Sequence, residues 1–388
     1  MHSTSSDLTH PDSIHTDTVY PLVLLGGGHS HVLWLTYWQQ LSRDDALKDI
    51  RPLLVSENTN SPYSGMLPSL LSGACHYNDC HIDLVRLCQN SDCDFLQRTC
   101  INITAVEHAC YETLYRLDFL STDQKPSFIY CEKLSINIGS QPTPLLTESD
   151  NKPGSNTCWK VKPISQFYNN WLTLQAALIA PEAGTASPTI SIIGAGAAGI
   201  EIACAIKLAQ SDCHIQLIAT SKTPLPSFSA KIQQRCLQRL NTLGIKFIGE
   251  TTATDNTTDF TLLCTQSAAP LWLKNSDLSL SDAGFIAVDE HLQTSLPGVF
   301  AAGDCIHFSP SPLAKAGVYA VRQASTLFLN TCSSAKPLAR FRPQTSFLSI
   351  INMGNHYALA QKGRWSLTGY WPWRYKQYLD RKFMAQFK

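Results

Sequence analysis

Three stretches of this sequence combine residue types that a tight backbone or a charged ligand would demand. Gly26-Gly27-Gly28-His29-Ser30-His31 and Gly194-Ala195-Gly196-Ala197-Ala198-Gly199 each follow an apolar run and precede a helical pattern. Residues without side chains at such a turn let backbone N–H groups approach a pyrophosphate. The helix that follows turns its positive dipole end toward the same anion. The second copy is complete, whereas the first has His31 where a third glycine normally lets helix and strand pack closely. Two such turns in one chain imply two dinucleotides, typically one flavin and one nicotinamide. The third stretch, 294–304, reads as an apolar strand ending in Gly303-Asp304. Its glycine permits close approach, and its carboxylate can accept a hydrogen bond from a sugar-like hydroxyl, as on a flavin's ribityl chain.

The elements around these stretches follow an α/β rhythm. Residues 21–25 read as a strand and 31–41 as its helix. Residues 51–56 form the next parallel strand, and Glu57 at its end is placed to accept from adenosine ribose hydroxyls. The Pro- and Gly-rich segment 61–68 marks a defined turn that can run alongside the flavin. Residues 99–131 read as short strands, 133–140 as a buried strand ending at Gly139, and 141–157 as a linker. A helix over 164–180 precedes the strand 189–193 that leads into the second turn, and 200–209 is the helix after it. The next strand, 214–220, ends in Ala219-Thr220-Ser221-Lys222 without a ribose-binding acid. A hydroxyl and a cation there suit a 2′-phosphate, so NADH and NADPH both stay open. A helix over 230–243 and strands over 244–248 and 260–264 follow. A helix over 313–323 is expected to aim its N-terminus at the flavin ring.

The 388 residues suffice for two or three domains, and 30 acids balance 30 bases, which gives no footprint for nucleic acid. No metal-ligand spacing stands out among the 14 cysteines, which read as reduced, buried, small hydrophobes. Cys75 and Cys80 have the two-cysteine, four-spacer form of some flavin-linked disulfide reductases, but they come too late in the chain to be read as that pair. No run is long enough to span a bilayer, and 1–18 lacks a signal-peptide layout. A cytoplasmic location is expected, with contact at the inner face of the cytoplasmic membrane as an option. That option rests on the tail. Residues 341–367 read as short strands, and Trp371-Pro372-Trp373 opens a last helix. Its Tyr375, Leu379, Phe383 and Phe387 recur every four residues beside Arg374, Lys376, Arg381 and Lys382. Such a stripe suits a membrane surface or, equally, a second copy of the chain.

LLGGGHSH, SPYSGMLP, HIDL, LSINIGS, IIGAGAAGIE, GVFAAGD, KAGVYAVRQ and the tail ending DRKFM together resemble the pyridine nucleotide-disulfide oxidoreductase superfamily, from about Pro21 to the C-terminus. Within it the chain looks closest to type II NADH dehydrogenase-like flavoproteins. More narrowly it resembles the flavoprotein found alone or fused ahead of selenophosphate synthetase (selenide, water dikinase). The resemblance implies an α/β fold of two Rossmann-like FAD/NAD(P)-binding domains, the FAD domain discontinuous, plus a small α+β C-terminal region. The expected divisions are 1–19, a disordered lead-in; 20–147 and 271–332, FAD-binding; 148–270, NAD(P)-binding with its preceding linker helix; and 333–388, C-terminal strands and amphipathic helix.

The resemblance further implies FAD held by Gly26, Gly27, Gly28, His29, Ser30, His31, Glu57, Pro68, Gly139, Gly303, Asp304, Ala316 and Gly317. Gly194, Gly196 and Gly199 would hold NADH or NADPH, with Glu201 near the flavin–nicotinamide contact. Lys315 and Gln323 lie where those enzymes approach flavin and quinone. Glu201 and Lys315 are therefore the expected catalytic positions. Two departures stand out: Gln266 where the family usually has glycine, and Gly317-Val318 where the type II dehydrogenases carry a glutamine near the quinone. No selenophosphate synthetase segment follows Lys388, so this chain is not expected to make selenophosphate itself, although such an enzyme is a candidate partner. The expected activity is hydride transfer from NAD(P)H to flavin and on to an acceptor such as a quinone. The alternatives are oxidation of selenide or sulfide, with Cys131 and Cys305 as candidate thiols, and a flavin-binding partner role in selenium metabolism.

Overall fold

The computed structural model describes residues 19–41, 50–121, 127–142, 157–179, 187–251, 258–265, 267–332 and 337–388. The lead-in 1–18, most of the linker 141–157 and Gln266 lie outside them. The first sheet is built from β1 (Val19–Leu25), β2 (Leu53–Ser56), β3 (Asp94–Gln97), β4 (Cys100–Ala105), β5 (Tyr115–Phe119) and β6 (Ser127–Ile136), with α1 (His29–Leu41) crossing from β1 to β2. The second holds β7 (Thr157–Lys160), β8 (Thr189–Ile193), β9 (His214–Ile218), β10 (Ile245–Ile248) and β11 (Phe260–Leu263). Helices α2 (Ile164–Ile179), α3 (Ala197–Ala209) and α4 (Ala230–Thr242) belong to this part of the chain. The chain then returns to the first sheet through β12 (Val299–Ala301) and α5 (Gly317–Cys332). It finishes with β13 (Ser349–Asn352), β14 (Ala358–Lys362), β15 (Trp365–Gly369) and α6 (Tyr370–Met384).

These elements make two Rossmann-like α/β lobes. In the first, β3-β2-β1-β6-β12 is a parallel row, and β5 and β4 extend it antiparallel from the other half of β6. In the second, β7-β11-β8-β9-β10 is parallel throughout. Parallel neighbours need crossover connections, which the helical periods supply. A parallel strand covered on both faces needs apolar residues on both, which explains the unbroken run in β1. Val23 and Leu25 pack into one core, Leu22 and Leu24 into the other, with Trp34 and Trp38 of α1. The tail forms a three-stranded antiparallel sheet capped by α6.

Two sequence expectations need correction. The helix expected over 313–323 begins only at Gly317. Residues 313–316 instead fold back as a non-helical segment, pinned where the Lys315 ammonium donates to the Ile306 carbonyl and sits 3.7 Å from the Phe285 ring centroid. In α6 the four-residue stripe of Tyr375, Leu379, Phe383 and Phe387 is not the buried face. That face carries Pro372, Lys376, Asp380 and Met384. Lys376, grouped by sequence with the surface cations, is buried against Asp380 at 3.0 Å. The pair satisfies itself, so a polar face can be buried, while Tyr375 and Leu379 stay exposed and Phe383 and Phe387 are half-buried.

Candidate functional site

A cavity of about 310 Å³ crosses the C-terminal ends of the five parallel strands of the first sheet. Arg98 lies past β3, Glu57 past β2, Gly26 to His29 past β1, Gly139 and Ser140 past β6, and Asp304 past β12. Strands about 4.8 Å apart make this roughly 19 Å from end to end, which suits an extended dinucleotide. Ligands of open α/β sheets bind outside these strand ends. Gly317, the first residue of α5, lines the same cavity.

The first turn is held by a residue that sequence reasoning missed. Asn137 is 2% exposed. Its Oδ1 accepts from Ser30 N–H at 3.0 Å, its Nδ2 donates to the Ala302 carbonyl at 2.6 Å, and its own carbonyl accepts from Gly28 N–H at 3.2 Å. A Cβ on Gly28 would come 2.1 Å from Asn137 Oδ1, and one on Gly303 2.4 Å from its Nδ2. An asparagine flanked by isoleucines, Ile136-Asn137-Ile138, in a strand that reads as buried was the available signal. His31 is fully buried, between the Gly26 carbonyl at 2.6 Å from Nδ1 and Ser135 Oγ at 2.8 Å from Nε2. A carbonyl only accepts, so Nδ1 carries the proton and Nε2 accepts from the serine. Burial holds His31 down to about 4, with the Gly26 hydrogen bond opposing.

At the far end Asp304 Oδ2 is 2.9 Å from Lys162 Nζ and 3.4 Å from Ser140 Oγ. Lys162, which the sequence did not single out, also donates to Ser140 Oγ at 3.2 Å. His29 lines the cavity with Nε2 buried and unpartnered, and its ring touches Tyr63 and Phe383. Burial lowers its pKa, so the imidazole is neutral near pH 7.

Other expected site residues lie elsewhere. Ser30 is buried, its hydroxyl donating to the Ala320 carbonyl at 2.7 Å. Gly303 donates its N–H to Gln323 Oε1 at 2.7 Å. Ala316, Lys315 and Gly303 line a small neighbouring pocket, and Pro68 is buried in a short helix. Lys315 does not line the main cavity. Gly194 and Gly199 shape the second turn, and Gly196 caps α3 with open space where a Cβ would stand. Thr220 and Lys222 are exposed beyond β9.

Glu201 of α3 does not line the cavity either. It accepts from Asn352 N–H at 2.8 Å. Burial pushes it up to about 7, Lys376 and the Asn352 hydrogen bond pull it down, and Asp380 adds to the rise. Asp380 accepts from Tyr63 O–H at 3.0 Å, and Lys376 also donates to the Gly65 carbonyl at 2.8 Å. Tyr63 lies between Pro62 and Ser64, which both line the cavity, so this charged cluster abuts it. Cys131 and Cys305 are fully buried, and burial raises both thiols, Cys305 to about 11. They stand as protonated core residues. All 14 cysteines are free. Among the described residues no metal-holding group of His, Cys, Asp or Glu occurs, and no helix is long and apolar enough to cross a membrane.

The cavity fits FAD by its own features. It has dinucleotide length, an acid at each end, the N-terminal end of α1 at its middle, and an orphaned buried nitrogen on His29 in its wall. A family model described as pyridine nucleotide-disulphide oxidoreductase matches residues 21–324. No curated relative matches the chain. NDH2 of Plasmodium falciparum, solved with NADH, has a similar fold at 14% identity and TM-score 0.72, covering 95% of this chain and 98% of that one. The sulfide:quinone oxidoreductase of Aquifex aeolicus matches at 14% identity and TM-score 0.66, covering 95% and 91%. The water-forming NADH oxidase of Lactobacillus brevis matches at 19% identity and TM-score 0.63, covering 89% and 75%.

Proposed function

The chain belongs to the pyridine nucleotide-disulphide oxidoreductase family, and from that premise we propose that it is an FAD-dependent NAD(P)H oxidoreductase. Hydride passes from NADH or NADPH to flavin, and electrons leave to an acceptor such as a quinone. One observation carries the reading: a dinucleotide-length cavity at the first glycine turn, and a second, complete turn whose Gly196 is open to a ligand. The FAD-binding half is 20–147 with 271–332, and the nicotinamide-binding half is 148–270.

The flavin supplies the two-electron chemistry when bound. The chain's residues hold and polarise. Glu57 would accept from the ribose, the Gly26 to Gly28 turn and α1 would receive the pyrophosphate, and Asp304 would accept from the polyol chain. The N-terminus of α5 turns its positive dipole end into the cavity at Gly317. Glu201, pushed up to about 7 by burial and lying in the field of the Lys376 and Asp380 pair, is the candidate proton donor or acceptor beside the cavity. Lys315 is assigned no catalytic part; it fastens the 313–316 segment.

The C-terminal tail carries an exposed surface of one chemistry. Trp365 and Trp371 are 85% and 70% exposed, beside Tyr375 and Tyr378. Arg364, Arg374, Arg381 and Lys382 are exposed around them, and the single acid of the stretch, Asp380, is buried. Aromatic rings with flanking cations suit an anionic lipid surface. The protein should co-sediment with anionic vesicles and release at high salt; a salt-stable dimer that ignores vesicles would give the surface to a second copy. The hydride step is tested by anaerobic titration of the FAD-loaded protein with NADH and NADPH. Bleaching of the visible flavin band by one of them is expected. A flavin left oxidised by both would move selenide or sulfide to the front as donors.

A further inference from the structure

Lys162 is carried by the second lobe but works in the cavity of the first. It follows β7, the edge strand of the second sheet, and precedes α2. Its ammonium reaches Asp304 Oδ2 at 2.9 Å and Ser140 Oγ at 3.2 Å, the first in a short 3-10 helix after β12 and the second in the loop after β6. We propose, on the FAD reading above, that Lys162 is the cation by which the nicotinamide-binding lobe stabilises the reduced flavin in the other lobe, and that it thereby raises the flavin's reduction potential.

Charge and position both fit Lys162 for this part. The two cations among the cavity's described lining residues are Arg98 and Lys162, and they stand at opposite ends of the strand row. With adenosine at Glu57, the ring lies toward Asp304 and Lys162. His29, the other basic side chain in the wall, is held neutral by burial. A flavin that accepts a hydride gains two electrons and one proton, so it becomes more negative by one charge. The ammonium stabilises that added charge and has no such effect on the neutral oxidised ring. Both contacts to Asp304 fall on Oδ2, which leaves Oδ1 for a hydroxyl of the polyol chain. The side chains of Lys162 and Asp304 remain 35% and 20% exposed. An ion pair of that exposure is weak enough to share its charge with a ligand. A purely structural tie would instead hold the two lobes together and leave the potential unchanged.

The test measures the midpoint potential of bound FAD by equilibration with a redox dye in wild type, Lys162→Met and Lys162→Arg. The Met variant should lose about tenfold of its preference for reduced over oxidised flavin, a shift of about −30 mV for a two-electron couple. The Arg variant, which keeps the charge, should stay at the wild-type value. An unchanged potential in the Met variant overturns the proposal, as does an Arg variant shifted as far as Met. Should the Met variant fail to hold flavin, Lys162→Gln keeps a donor for Asp304 without the charge, and its potential decides in the same way. A wild-type protein that takes up no FAD overturns the FAD reading and this proposal together, whereas the variant results bear on Lys162 alone.

Discussion

At the first turn the Gly26 carbonyl accepts a hydrogen bond from His31 Nδ1, 2.6 Å away. At the second, the matching carbonyl of Gly194 lies 1.8 Å from where a Cβ on Gly199 would stand. The rest of the two turns agrees closely. Gly26 and Gly194 both have positive φ, 96° and 116°, and each donates its N–H to the neighbouring parallel strand at 2.7 Å. Each also packs against a backbone carbonyl, Asn137 in one lobe and Cys264 in the other. Of the positions where the two turns carry different residues, the sixth is the one that meets this carbonyl. The second turn removes the side chain so that the helix can close on the carbonyl. The first brings in an imidazole, ties it to Ser135 and spends a polar side chain where glycine leaves none. The same carbonyl position thus meets a bare helix backbone in one lobe and a hydrogen-bonding imidazole in the other.

The comparison breaks first at Gly199. Gly199→Ala must push α3 away from backbone that cannot yield, so a loss of about 3 kcal/mol or more is expected in denaturant unfolding. Flavin reduction by NAD(P)H should fall with it. An alanine tolerated within about 0.5 kcal/mol would show that the turn has slack. His31→Gly restores the family's glycine pattern, yet it should destabilise by about 3 kcal/mol. It empties a fully buried site and strands Ser135 Oγ and the Gly26 carbonyl. A variant as stable as wild type would mean that the two turns are interchangeable.

The same imidazole sharpens the contrast through pH. Its folded pKa, about 4, lies below the unfolded value near 6.5, so the unfolded chain binds the extra proton between them. The stability that depends on neutral His31 is present above pH 6.5 and is lost as pH falls toward 4, by roughly 3 kcal/mol. Urea midpoints across that range should show the loss in wild type and much less of it in His31→Gln. Equal slopes would place the acid sensitivity elsewhere.

Local spacing made the strands, both turns and the acids at Glu57 and Asp304 legible, because each is written within a few consecutive residues. The parts that escaped are set by partners far along the chain. Lys162 meets Asp304 across 142 positions, and Asn137 meets Ala302 across 165. Neither separation leaves a periodic trace. In α6 the reading failed for another reason. Hydrophobicity ranks Tyr375 and Leu379 as inward and Lys376 and Asp380 as outward, but the charged pair could go inward because each residue brought the other's partner. The exposed aromatic face is the complement of that choice.

The interleaving of the first sheet also sets a schedule for synthesis. Leu134 to Ile136 pair with Val299 to Ala301, strands that leave the ribosome about 160 residues apart. At ~5–20 residues per second that is roughly 8–30 s. Throughout that interval the edge of β6 that β12 will cover is an open, apolar strand edge, the kind that recruits wrong partners. The β8 to β11 strands of the intervening second lobe can pair during the wait, and its core is completed later by Ile351, Met353 and Leu359 of the tail. A nascent chain stalled before residue 299 would therefore carry a second sheet whose core still lacks its tail residues and, in the first sheet, a template for aggregation.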